Sequence, residues 1–409
     1  ERPGVSEFSY NHRNTSLTLT QMLFDGFETR NQVARLGHEK RARYFEFKQA
    51  AEEAAFEATR AYLDVAREQI LVQLTKENYI EHRMIYDQIL QRAESGVGRG
   101  VDLEQANGRL SLAETNLLTE LTNLHDVSAR FQRVIGYLPE DELVPIYLDT
   151  SMIPADRMEV LKTAYQENHY LLSTVEGLYA AQSDLSMRNA PFMPDVDLRL
   201  TESREKNRLG ASGTYKDRAA ELVLSYNLFN GGSDSAAKRQ YANLRSAASE
   251  RRIEACRNVR QEAMIAFNNI SSLQEKLGYL DENQLAISKA RVAYRSQFDI
   301  GQRTLLDLLD TENEYFETRR ALVNAEHDLI TTQARTLAAM GMLVSSYGDS
   351  QLERTADDIS SPASDEYVLC PLEPPTEYTI DKEALFANLM ATSNRYVETD
   401  RGLEIELNV

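Results

Sequence analysis

The sequence predicts a mainly α-helical chain with a small β part, built as a tandem duplication of one unit: a strand leading into a long antiparallel helical hairpin. Three observations carry that expectation. None of the 10 prolines falls between Pro3 and Pro139 or between Pro194 and Pro362, leaving stretches of 135 and 167 residues without the strongest helix breaker. Globular helices average about 11–12 residues, so stretches of this length imply rods rather than ordinary helices. Sliding the chain by 205 residues aligns Leu17, Leu19, Leu23, Phe24 and Gly26 with Leu222, Leu224, Leu228, Phe229 and Gly231. The same offset aligns Ala61-Tyr62 with Ala266-Phe267, Asp102-Leu103 with Asp307-Leu308, and Gly136 with Gly341. Finally, hydrophobic period changes within each copy, from two at its head to seven in its returning helix.

The first copy opens with the alternation Leu17–Phe24, and Gly26 suits the turn from strand to helix. Nearly 70 residues rich in Ala, Glu, Arg and Gln follow, a rod of about 100 Å at 1.5 Å per residue. Gly96-Val-Gly-Arg-Gly100 then reads as a hairpin turn, and Leu103, Ala106, Leu110, Ala113, Leu117, Leu124, Val127, Phe131 and Val134 give the return helix a 3-4 spacing. The second copy is preceded by a helix-like stretch from Arg157 to Asn189 and by the alternating strand 195–201, joined through the polar loop 208–216 to a strand at 219–229. After Gly231-Gly232 the second rod runs to its turn at Ile300-Gly301-Gln302. Leu308, Tyr315, Leu322 and Leu329 then recur every seven residues, with small partners at Thr311, Thr318, Ala325 and Thr332. The expected division is 1–152 for the first repeat, 153–347 for the second, and 348–409 for an acidic tail.

Charge and composition exclude several functions. A formal net charge of −19, of which −10 lies in residues 349–409, disfavours nucleic acid. Cys256 and Cys370, far apart in sequence, read as two incidental thiols. The histidines (His12, His38, His82, His125, His169, His327) stand singly without ligand spacing and read as solvated helix positions. No nucleophile elbow or phosphate loop is present, so no enzyme, metal or cofactor is expected. No run of 18 apolar residues exists, so any membrane crossing must use strands. Heptads alone equally fit a soluble coiled coil, and a lone hairpin equally fits a soluble sheet. Paired 100 Å rods joined to apolar-out, polar-in strands make the soluble alternative awkward.

Strand, Leu-Phe-(Asp/Asn)-Gly, long helix with Ala-(Tyr/Phe), Gly-x5-Asp and a closing Gly-x-Leu together resemble the TolC family of outer-membrane channels, most specifically at Gly301-Gln-Arg-Thr-Leu-Leu-Asp-Leu-Leu-Asp310. The wording around Phe24-Asp-Gly-Phe-Glu-Thr-Arg30 and Arg99–Ala106 is similar to the branch that exports large adhesins by type I secretion. The resemblance implies a homotrimer in the bacterial outer membrane, with four strands per chain in a shared β-barrel and a periplasmic α-helical barrel. Its implied partners are a periplasmic adaptor, an inner-membrane ABC transporter or other pump, and outer-membrane lipid. It also implies that Asp307 and Asp310 form an acidic ring at the periplasmic aperture, and that Asp102 and Arg303 belong to a latch. Phe298 stands where the family has the latch tyrosine, and Gln105 replaces the second acid in the first copy. A duct for a tripartite small-molecule efflux pump is the rival reading. The first copy is expected to have lost a leading helix, a strand and a signal peptide ahead of Glu1. The tail, ending in the alternation Gly402–Val409, reads as the lead-in to another domain, such as an OmpA-like peptidoglycan-binding module.

Overall fold

In chain order the elements are β1 (Arg13–Asp25), α1 (Glu28–Glu94), α2 (Gly100–Ile135), α3 (Arg157–Glu167), α4 (His169–Met187), β2 (Asp195–Lys206), β3 (Thr214–Ser225), α5 (Ser233–Asp299), α6 (Leu305–Ala339) and α7 (Leu343–Ser346). The computed structural model describes residues 9–348, 370–375, 381 and 384. They fall in two units, Glu1–Leu372 and Glu373–Val409. In the second, the Ala384 N–H donates to Asp381 at 2.9 Å; the alternation at 402–409 lies outside the described residues.

The duplication is built into the helices. Both α1 and α5 have 67 residues, and α5 starts and finishes 205 residues after α1. Each is about 100 Å long. α1 packs on α2, α4 and α6, while α5 packs on α6, α4 and α3. In the seven-residue rows of α6, small Thr311, Thr318 and Ala325 are buried and Thr332 is half-buried, while in the row of large residues Leu308 is buried and Tyr315, Leu322 and Leu329 are half-buried. Small side chains in the seam let neighbouring helices approach closely, and this row faces the rest of the chain.

The main core lies where α3, α4, α5 and the end of α6 meet, around the fully buried Val160, Leu161, Ala255, Leu337 and Met340. The stretch from Arg157 to Asn189 is not one helix here but two, broken at Asn168. That side chain accepts the Leu171 N–H at 3.0 Å, capping α4, and donates to the Ala339 carbonyl at 2.9 Å, so it serves two helix ends at once. Gly341 passes so close that a Cβ would lie 2.6 Å from the Glu167 carbonyl oxygen, and its φ is 74°. Two further expectations are corrected in this region. Cys256 and Cys370 form a disulfide, because the tail folds back onto α5 despite a sequence separation of 114. His82 and His169 are buried and His38 shares a 2.7 Å bond with buried Glu176: α4 covers the part of α1 that carries His38, and His169 of α4 stacks on Phe45 of α1, while His82 is buried farther along α1, beside Arg109 of α2.

Burial leaves a pH signature. The Glu52 carboxyl accepts N–H groups of Leu343 and Val344 at 3.0 and 3.3 Å, yet desolvation pushes its pKa up from 4.5 to about 7. The folded protein therefore keeps a proton that the unfolded chain releases. This stabilisation is complete below about pH 4.5 and is lost as pH rises to about 7. Burial and the neighbouring Glu120 act on Glu68 in the same direction, to about 7. His169 works oppositely: burial lowers it from 6.5 to about 4, so its contribution is present above pH 6.5 and lost as pH falls through about 4. Replacing Glu52 with Gln is expected to flatten the fall in stability between about pH 4.5 and 7, by at most about 3 kcal/mol. Melting temperatures of wild type and variant at pH 5 and pH 8 check this; an unchanged difference between the two pH values would contradict it.

Candidate membrane sheet and channel entrance

β1, β2 and β3 form one antiparallel sheet in that order. Register puts Leu19 opposite Leu200 and Leu200 opposite Ala220, with Leu198 opposite Leu222 and Val196 opposite both Phe24 and Leu224. Since side chains alternate along a strand, one face carries Leu17, Leu19, Val196, Leu198, Leu200, Leu222 and Leu224. The other carries Thr18, Thr20, Asp197, Arg199, Thr201 and Glu221. Both faces are open in a single chain: Leu17 on the apolar face is 76 % exposed, and Thr18, Thr20 and Glu221 on the other face are exposed as well. A sheet with one dry face and one wet face, each uncovered, is the pattern of a membrane barrel wall. The outer strands β1 and β3 each have only one neighbour, and three strands cannot close on themselves.

The strands run past the boundaries expected from alternation. Apolar patterning stops near Leu200, but pairing continues to Arg13, Lys206 and Thr214 through charged residues on both faces, tied by Arg218 to Glu202 at 3.2 Å. Hydrogen-bonded hairpins need no apolar side chains once they leave the dry layer, so the hydrophobic signal ends before the strand does. At the other limit β3 ends at Ser225, and Leu228 and Phe229 lie outside it, 86 % and 84 % exposed.

The far ends of the helical hairpins are brought together. Gly96 (φ 79°) connects α1 to α2 and Gly301 (φ 78°) connects α5 to α6, each in the left-handed region where glycine is favoured. One apolar cluster joins the two tips: Ile85 and Ile89 of α1, Ala106 of α2, Phe298 of α5, and Leu305, Leu308 and Leu309 of α6. Phe298 is buried there beneath the Arg92 guanidinium, 5.1 Å from the ring centroid, so it packs where a tyrosine would bond.

Asp307 begins α6 in a reciprocal cap with Thr304: its carboxylate accepts the Thr304 hydroxyl and N–H at 2.9 and 3.2 Å, and the Asp307 N–H returns to Thr304 Oγ1 at 3.3 Å. The bonds from Thr304 and then the Arg303 charge hold its pKa below the usual carboxylate value. Asp310, one turn on, is paired to Arg109 of α2 at 2.5 Å while remaining exposed. Arg303 stacks over Tyr294 at 4.3 Å, donates to Gln297 at 3.1 Å and lies 3.9 Å from Asp307. Among the described residues no hydrogen bond or ion pair joins Arg303 to Asp102. Arg109 escaped the sequence reading because nothing in one helix's spacing reports a partner on another. Nearby, Glu81 of α1, Arg291 and Arg295 of α5 and Glu312 of α6 form a network, with Arg291 to Glu312 at 2.6 Å and Arg295 to Glu81 at 2.6 Å. No cluster of His, Cys, Asp and Glu that could hold a metal, and no helix long and apolar enough to cross a membrane, occurs among the described residues.

Comparison with known proteins agrees with this geometry. The family model described as outer membrane efflux protein matches residues 2–137 and 160–342. The chain is 25 % identical over 334 residues to the outer membrane efflux protein BepC of Brucella suis, covering 80 % of this chain and 72 % of that protein. It is 24 % identical over 346 residues to the alkaline protease secretion protein AprF of Pseudomonas aeruginosa, covering 82 % and 70 %. Among solved structures, the Vibrio cholerae outer membrane protein VceC superimposes with a TM-score of 0.66 at 16 % identity, over 81 % of this chain and 87 % of that one; the likeness shows the fold. A sheet made to face lipid, on helices made to reach through the periplasm, and a family match over most of the sequence give one conclusion: the chain belongs to the outer membrane efflux protein family, the TolC-like channels, and is a transport duct of the outer membrane rather than an enzyme.

Proposed function

We propose that this channel is a homotrimer acting as the passive exit duct of a type I secretion system, with a large adhesin as cargo. The observation that carries the duct is the open three-stranded sheet, dry on one face and polar on the other, on hairpins about 100 Å long. Neither these three strands nor the four expected per chain can close alone, so strands from other copies complete the wall. The secretion assignment rests on the wording around Phe24–Arg30 and Arg99–Ala106, and is supported by similarity to a protein named for protease secretion. A periplasmic adaptor and an inner-membrane ABC transporter supply the energy, and lipid surrounds the apolar sheet face. Similarity to a protein named for efflux keeps small-molecule export as the second reading. Deleting the gene and assaying surface adhesin against drug susceptibility separates the two.

In this reading Asp307 and Asp310 line the periplasmic mouth, where three copies bring their carboxylates around one axis. Such a ring attracts cations. Arg109 offsets part of the Asp310 charge, and Arg303 part of the Asp307 charge. Replacing both with Asn is expected to reduce cation preference and relieve block by multivalent cations, with little loss of folding, since exposed carboxylates add little stability. Single-channel recording checks this; unchanged selectivity and block would return both residues to ordinary helix-surface acids.

A further inference from the structure

We propose that the Cys256–Cys370 disulfide is a permanent strap, installed by a periplasmic thiol–disulfide oxidase, that fixes the departing tail to the middle of the helical body. α7 ends at Ser346, and Cys370 lies in the main core. Cys370 is 6 % exposed and Cys256, on α5, 4 %, with Cα atoms 5.7 Å apart. They join the core that holds Val160, Leu161 and Ala164 of α3. Beside the bond, the Tyr165 hydroxyl donates to the Pro371 carbonyl at 3.2 Å, and Leu372 is 46 % exposed. Hydrogen bonds of about 1 kcal/mol each open and close and do not by themselves tether a segment permanently against its own entropy. The covalent link does.

The chemistry fits the compartment. The helical part lies in the periplasm, where disulfides form and persist. Two thiols are oxidised to one disulfide; their two electrons and two protons pass to the disulfide of the oxidase, which leaves as a dithiol, through a mixed disulfide. These are the only 2 cysteines among residues 1–409, so within this span a single intramolecular product exists. Burial of both residues denies an incoming thiolate its approach, which makes the bond lasting rather than regulatory. It also dictates order: the oxidase acts before α3 and α5 close over the sulfurs. The result is that tension on whatever follows Leu372 is delivered to α5 instead of peeling α7 and the end of α6.

The test uses the full-length trimer from outer membranes, with a specific protease site inserted after Gly348. Thiol labelling after denaturation, located by peptide mapping, is expected to find Cys256 and Cys370 unlabelled without reductant and both labelled with it, and both labelled without reductant in cells lacking the oxidase. After cleavage, the fragment carrying Cys370 is expected to stay with the trimer on gel filtration. The Cys370→Ala variant, which leaves α5 untouched, is expected to remain trimeric and to lose that fragment. Free Cys256 and Cys370 in wild-type cells, a chain-to-chain crosslink, or full retention of the fragment in Cys370→Ala would each overturn the strap. The proposal rests only on the periplasmic placement of the helices. Loss of conductance in wild type would contradict the duct and leave these readouts standing.

Discussion

Replacing Gly341 with Ala is expected to destabilise the protein by about 2–5 kcal/mol, while the same change at its repeat counterpart Gly136 costs about 1–2 kcal/mol. Both residues close a returning helix with positive φ, 74° and 98°, so both variants carry the strain of a left-handed alanine. Only at Gly341 does the new Cβ meet backbone, 2.6 Å from the Glu167 carbonyl oxygen, whereas at Gly136 nothing lies within 4 Å. That carbonyl is fixed by the α3–α4 junction, where Asn168 caps one helix and bonds the end of another. Thermal unfolding of the two variants separates the terms. Equal losses would show that the junction yields and that the close approach is not a constraint.

Removing Arg291 alone is expected to cost about 2–4 kcal/mol, because it strands the buried carboxylate of Glu312 with only Arg295 at 3.5 Å. Glu312 has a side chain just 2 % exposed, and burial already pushes its pKa up against the pull of Arg291. Replacing the pair together, Arg291→Met with Glu312→Leu, is expected to restore most of the loss, since matched apolar groups need no solvation. The network spans α1, α5 and α6, so the single variant is also expected to loosen α5 from α1 near the tips. Hydrogen exchange along residues 285–299 reads this. A double variant as unstable as Arg291→Ala would mean that the charges themselves, not their pairing, are required.

The long elements were legible because their signals are local. The constant offset of 205 reappears in helices of equal length, and the positive-φ glycines at 96 and 301 stand where the periodicity breaks. What depends on a partner from another part of the chain was not legible. Two cysteines 114 residues apart meet only because the tail returns to α5, and His82 and His169 are buried only where other helices pack on their own. The break at Asn168 carried a faint signal: asparagine is a strong cap residue, and here it follows the 11-residue α3. At the entrance, the sequence offered Asp307 and Asp310 as a pair but not their different fates, one held in its own helix cap and the other answered by Arg109 across the hairpins.

The most direct test of the account is a mass measurement of the purified full-length protein in detergent, combined with planar-bilayer recording of the same sample. The account predicts a particle of three chains that inserts and conducts in discrete steps, since a sheet open at both edges, whether of these three strands or the four expected per chain, closes only with the strands of neighbouring copies. A monodisperse single chain with an intact β signal and no conductance would contradict it.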